Sequence, residues 1–117
     1  MTPVAAVLTP GDRFEGYVIE RVLGHGGHAC VYRAHRDAEP IDSDRAVALK
    51  VLDRRHRGPA DLTRLRREFA LARRLDHPHI VRMERLGRDW LTMEFVDGGS
   101  VAGLTAIADK LSALAQI

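Results

Sequence analysis

The sequence predicts an α+β domain with five strands and two helices, in the order β-β-β-α-β-β-α. Three observations carry that reading. Short runs of β-branched or alternating apolar residues recur at 16–23, 29–34, 45–52, 80–86 and 90–96. Between the third and fourth of these, residues 61–75 repeat apolar side chains at helical spacing, and residues 101–117 do so again after the fifth.

After a loose lead-in over residues 1–13, Gly16-Tyr17-Val18-Ile19-Glu20-Arg21-Val22-Leu23 reads as the first strand. Gly24-His25-Gly26-Gly27-His28 reads as a turn, because glycine alone tolerates positive φ freely. Ala29 to Ala34 is a second short strand, and the polar stretch 35–46, with one Pro, is a loop. Arg45 to Leu52 is a third strand, followed by a basic loop from Arg54 to Asp61 that contains Gly58 and Pro59. In the helix from Asp61 to Leu75, residues Leu62, Leu65, Phe69, Ala72 and Leu75 share one apolar arc, and Arg67 and Arg74 fall opposite it. Pro78 ends that helix. Ile80–Leu86 and Trp90–Val96 flank Gly87-Arg88-Asp89 as a hairpin, which Gly98-Gly99 closes. The last helix carries Val101, Leu104, Ile107, Leu111, Leu114 and Ile117 on one face, an apolar stripe suited to a protein partner.

A length of 117 residues fits one small domain or a piece of a larger one, and 45% apolar with 29% charged residues excludes a disordered or fibrous class. The net charge of +2 demands no polyanionic partner, although the basic residues are sixteen arginines and only two lysines. Neither nucleic-acid binding nor a membrane span is expected, since no apolar run reaches membrane-spanning length. Met1 to Pro10 has no basic leader pattern, and the single Cys excludes an internal disulfide and fits a reducing, cytoplasmic compartment. The sequence has no Asn, so a mechanism that needs an Asn ligand cannot be completed within these residues.

The glycines Gly24-x-Gly26-x-x-Ala29 fit two phosphate-cradling patterns and one without a ligand. In a dinucleotide fold a helix would leave the glycines and an acid about 20 residues on, near Asp44, would hold a ribose. In a hairpin flap a strand would leave them, and Val31 would cover a base. A plain tight turn explains the glycines equally well. Lys50 shifts the balance, because it interrupts the apolar strand between Leu49 and Val51, where a compact charge can reach phosphate oxygens. Glu68 falls inside the apolar arc of the 61–75 helix and needs a cation. Arg64, four residues earlier, is one candidate; a Lys50–Glu68 bridge explains both misplaced charges together. His25, His28, Cys30 and His35 match no standard zinc spacing, so no metal site is expected.

Taken together, these segments resemble the N-terminal lobe of a protein kinase, of the bacterial eukaryotic-like Ser/Thr type. The carriers are Phe14-x-Gly16-Tyr17, the run Leu23 to Tyr32, Val47 to Leu52, Arg66-Arg67-Glu68-Phe69, Leu75 to Val81 and Met93 to Ser100, in order and well separated. The resemblance implies a five-stranded antiparallel sheet with one helix between strands 3 and 4, in a domain spanning 14–100, with 101–117 as a post-hinge helix. It implies ATP as ligand. Leu23, Gly24, His25, Gly26, Gly27, His28, Ala29 and Val31 would form the flap, and Val31 and Ala48 would sandwich the adenine. Lys50, held by Glu68, would contact the phosphates. Met93 would be the gatekeeper, with the Glu94 carbonyl and Val96 amide on the adenine edge.

Two departures limit the implied activity. His35-Arg36-Asp37 spells a catalytic-loop motif but precedes Lys50, and position 42 is Asp where that loop needs Asn; D-F-G is absent. The expectation is an ATP-binding lobe that is inactive alone, with magnesium and a protein substrate engaged only when a C-terminal lobe completes it. The alternatives are a stand-alone regulatory module docking on another protein, with 101–117 as its contact, and a dinucleotide-binding fragment.

Overall fold

The structure, a computed structural model, describes residues 8–25, 28–38, 45–72 and 80–96. Gly26, Gly27, the segment 73–79, the residues after Val96 and the expected C-terminal helix lie outside the described residues. The strands are β1 (Arg13–Phe14), β2 (Tyr17–His25), β3 (Ala29–Arg36), β4 (Arg45–Leu52), β5 (Ile80–Leu86) and β6 (Trp90–Val96), with one helix, α1 (Pro59–Ala72), between β4 and β5. All pairings are antiparallel, in the order β1-β2-β3-β4-β6-β5.

Among the described residues the sheet therefore has six strands rather than the five expected. The extra one, β1, is two residues long and too short to show a period of two. It joins β2 through Glu15 and Gly16, whose φ angles of 52° and 92° make the two-residue turn that matches strand twist. β2 and β3 also run further than expected, to His25 and Arg36, so Gly24 and His25 sit in the ladder opposite Val31 and Cys30. The basic loop contains a single 3-10 turn at Arg54–His56, and α1 begins at Pro59, two residues earlier than the apolar arc suggests. Pro suits the first helical turn because its missing N–H is not needed there. Asp61 Oδ2 accepts the Gly58 N–H at 3.1 Å and satisfies one of the free donors at that end.

Alternation gives the sheet two covered faces. On the helix face, Leu23, Ala29, Ala48, Leu52, Leu91 and Met93 pack with Leu65 of α1, and Leu62 and Phe69 lie at the edge of that core. On the far face, Tyr17, Ile19, Tyr32, Ala34, Val47, Leu49 and Trp90 form a second cluster, with Leu8 and Phe14 laid over it. The Leu8 N–H donates to Tyr32 Oη at 3.0 Å, which ties the lead-in to this face. β4 is central and buried on both sides, which explains its almost unbroken apolar sequence.

The turn between β5 and β6 depends on a close approach. A Cβ on Gly87 would lie 2.1 Å from Cε2 of Trp90, an indole only 6% exposed and held between Phe14, Tyr17 and Arg85. Gly87→Ala should cost about 1–3 kcal/mol through overpacking and shift the emission of Trp90, the only tryptophan. Gly58→Ala, whose Cβ would meet only Asp61 Oδ2 at 3.5 Å, should leave the emission unchanged. Chemical denaturation followed by fluorescence checks both; an unaltered Gly87→Ala spectrum would remove the steric argument.

Candidate functional site

The period of two along β4 turns Val47 and Leu49 to the far face and Ala48 and Lys50 to the helix face. Lys50 lies opposite Val31 of β3 and Leu91 of β6, so its stem crosses the middle of the sheet. Its ammonium group donates to both oxygens of Glu68, at 2.6 and 2.9 Å. Glu68 reaches that point because it lies three residues after Leu65, on the same buried side of α1. The alternative partner, Arg64, turns instead to Asp61 at 3.8 Å.

Both members are buried, Lys50 at 7% and Glu68 at 2% exposure. Burial pushes the Glu68 carboxyl above its ordinary 4.5, and the charge and hydrogen bonds of Lys50 draw it only partly back. Removing one partner from such a pair typically costs about 3–5 kcal/mol, because the other charge is stranded. Next to the pair, Leu23, Ala29, Ala48 and Met93 are buried in one cluster, and Val31 packs against it half-exposed. The small side chain of Ala48 keeps this surface low, and it lies directly opposite Met93.

The remaining expected site residues fall around this surface. Gly24 and His25 end β2, and Gly26 and Gly27 lie outside the described residues. The His28 carbonyl accepts the Asp53 N–H at 2.7 Å, and its exposed ring stands edge-on to His56 at 4.4 Å. This bond ties the base of the glycine hairpin to the end of β4. His28, Lys50, Asp61, Arg64 and Glu68 border a cleft of about 50 Å³, room for a few waters. The β4–β6 ladder continues past Met93 through Val47↔Glu94 to Arg45↔Val96.

The first two residues of the apparent catalytic-loop motif, and Cys30 in the same strand, belong to the sheet. His35 and Arg36 are strand residues at the end of β3, and Asp37 pairs with Arg13 on the surface at 3.1 Å. His35 Nδ1 lies 3.1 Å from Glu20, which also accepts from Arg33 Nε at 3.1 Å. The three residues of the apparent catalytic-loop motif thus serve the sheet. Cys30 packs against the far face, and burial pushes its thiol up. Among the described residues no group of three His, Cys, Asp or Glu side chains could hold a metal ion.

Sequence reasoning also missed a part-buried polar network on the far face. It joins Tyr17, Arg36, Glu84, Thr92 and Glu94. Alternation along β6 could have placed Thr92 and Glu94 on the face opposite Met93, but it names no partners.

The ion pair generates a pH test. Because the folded carboxyl of Glu68 sits above its unfolded value, the folded state holds this proton to higher pH. Stability from this group is present in acid and falls as pH rises from about 4.5. Lys50→Met removes the cation that limits this loss. Its deficit should be about 3–5 kcal/mol at neutral pH and should shrink as Glu68 protonates in both states. Urea titrations of wild type and variant at several pH values check this; a deficit constant with pH would mean that Glu68 is not the stranded charge.

Comparison with known proteins agrees with this geometry. The family described as protein kinase domain matches residues 17–115. Serine/threonine-protein kinase PknJ of Mycobacterium tuberculosis is 39% identical over 117 residues, covering 96% of this chain and 19% of its own length. PrkC of Bacillus subtilis is 42% identical over 94 residues, covering 75% of this chain and 14% of its own length. The crystal structure of the Mycobacterium tuberculosis PknI kinase domain matches at a TM-score of 0.56 and 31% identity, covering 89% of this chain and 42% of that one. The chain thus spans about a fifth of the PknJ length. On sequence and on fold together, this chain belongs to the protein kinase domain family, and its described sheet and helix correspond to the N-terminal lobe of that domain.

Proposed function

We propose that this chain is the ATP-binding lobe of a Ser/Thr protein kinase and that it holds the nucleotide against the helix face of its sheet. The observation that carries the reading is the buried Lys50–Glu68 pair beside a low apolar surface. An ion pair of this kind stabilises the fold poorly for what it costs to desolvate, whereas a lysine held rigid at the edge of an open surface can meet phosphate oxygens. Ala48 and Val31 offer a flat apolar roof for a purine, and Met93 bounds its inner end. The flap residues Leu23, Gly24, His25, Gly26, Gly27, His28 and Ala29 would lie over the phosphates. An adenine edge at the Glu94 carbonyl and Val96 amide would replace the last pairs of the β4–β6 ladder.

These residues fit nucleotide positioning better than phosphoryl transfer. The sequence holds no Asn and no D-F-G, so the proton acceptor and magnesium ligands of the family reaction would come from a second lobe, in the same polypeptide or another. Magnesium, when bound there, would neutralise charge building on the transferred phosphate. Lys50 would orient the phosphates, and Glu68 would keep Lys50 in place. The lobe would occupy 14–100, and 101–117 would be its contact with a protein partner. Cytoplasmic residence belongs to the same proposal, and no described helix is long and apolar enough to cross a membrane.

Thermal unfolding with and without ATP tests the reading. ATP should raise the wild-type midpoint modestly, its stabilisation staying below about 1 kcal/mol until it exceeds its Kd about fivefold. Lys50→Met should abolish that increment, while Arg66→Met, at an exposed position on α1, should keep it. Equal increments in both variants would overturn the assigned roles. In a phosphotransfer assay, the 117 residues alone should show no incorporation above buffer; turnover dependent on Lys50 would defeat the view that a second lobe is needed.

A further inference from the structure

Three consecutive residues of β6 divide between the faces. Met93 is buried on the helix face with Ala48 and Leu91, while Thr92 and Glu94 point to the far face and are held there by polar contacts. Thr92 Oγ1 lies 3.1 Å from Tyr17 Oη and accepts the Arg85 N–H at 3.1 Å. The Glu94 carboxylate, 3% exposed, accepts from Arg36 Nη2 at 2.5 Å, and Arg82 Nη2 is 3.7 Å away. Arg36 also pairs with Glu84, which accepts the Tyr17 hydroxyl. One network therefore links β2, β3, β5 and β6. Burial and the neighbouring Glu84 push the Tyr17 hydroxyl up, so it remains a donor at neutral pH.

We propose that this far-face network positions Met93 and the end of β6, with Arg36 as the positioning residue that bridges Glu84 and Glu94. The argument rests on alternation. Side chains 92 and 94 cannot turn or slip without moving 93, because successive residues of a strand share one backbone twist. Apolar packing at 92 and 94 would tolerate several arrangements, whereas buried charges and hydroxyls tolerate few, since each lost bond leaves a desolvated group. Both carboxylates, from different strands, are met by the single Nη2 of Arg36, whose two N–H bonds are fixed in the guanidinium plane, an orientation that a freely rotating lysine ammonium does not fix. The site on one face thereby takes its shape from the other. The functional half of the proposal rests on the nucleotide reading above; the geometric half stands without it.

Methyl-13C methionine NMR on the ligand-free protein tests the geometric half. The sequence has three methionines, Met1, Met83 and Met93, and Met83→Leu assigns the signals of the cross-strand pair Met83↔Met93. Glu94→Gln, which keeps shape but removes charge, should move or split the Met93 methyl signal, as should Arg36→Lys. Arg13→Leu, which removes the exposed Arg13–Asp37 pair, should leave it in place. An unchanged Met93 signal in folded Glu94→Gln would overturn the proposal, and if Arg36→Lys fails to fold, Glu94→Gln alone decides. Titration with mant-ATP then tests the functional half. Affinity should fall roughly tenfold in Glu94→Gln and stay unchanged in Arg13→Leu. Unchanged affinity with a shifted Met93 would defeat the functional half. A wild type that binds no mant-ATP, with the Met93 shift intact, would defeat the ATP reading and leave the positioning of Met93 supported.

Discussion

A carboxylate and an ammonium meet where water scarcely reaches, and the seating of the helix on the sheet follows from that meeting. α1 touches the sheet through a narrow apolar edge of Leu62, Leu65 and Phe69, which taken alone would tolerate a slip of one turn. Glu68 removes that tolerance. A slip would bring either Arg64 or Ala72 to the position of the carboxylate, setting two cations together or leaving Lys50 without its anion. The pair thus contributes more to uniqueness than to net stability. It fixes register, and with it the line along which Lys50 points.

The rest of the lobe supports a surface that is apolar but open. β4 contributes to both cores by alternation, so the small Ala48 and the charged Lys50 face the helix side while Val47 and Leu49 anchor the strand from behind. Behind it, the far face is closed by the lead-in residues Leu8 and Phe14 and by the guanidinium of Arg85, 5.1 Å above the Trp90 ring. The end of β4 is secured twice. Its Leu52 N–H donates to the Asp89 carbonyl at 2.9 Å, and the next N–H, from Asp53, donates to the His28 carbonyl. Arg57 adds a bridge from the Leu52 carbonyl to the Asp89 carboxylate.

Much of this was legible in the sequence where period and charge conflict. β4, β5 and β6 have the bounds that alternation suggests, because their sequences alternate or are apolar over seven or eight residues. Lys50 and Glu68 were legible as a pair because each stands in an apolar phase of its own element, and two such violations are best explained by one contact. β1 was not legible, since two residues carry no period, although Glu15-Gly16 is a usable turn signal. The far-face network was not legible either. Arg36 and Glu94 are 58 residues apart, Tyr17 and Glu84 are 67 apart, and alternation assigns a face without naming a partner across the sheet. Gly87 was read as part of a turn, but what requires it is the Trp90 ring in the space a Cβ would take, a contact that φ preference does not disclose.

The almost complete replacement of lysine by arginine has a chemical consequence. Guanidinium groups resist mild acylation at neutral pH, so an amine-directed reagent finds only two side chains in this sequence, Lys50 and Lys110. Lys50 is shielded by its seat against Glu68, and its acylation requires that the ammonium leave that seat and lose its proton. The rate at which a small acyl donor marks Lys50, read by mass against a background of one other lysine, is therefore a clock for how often the helix and the sheet let go of each other.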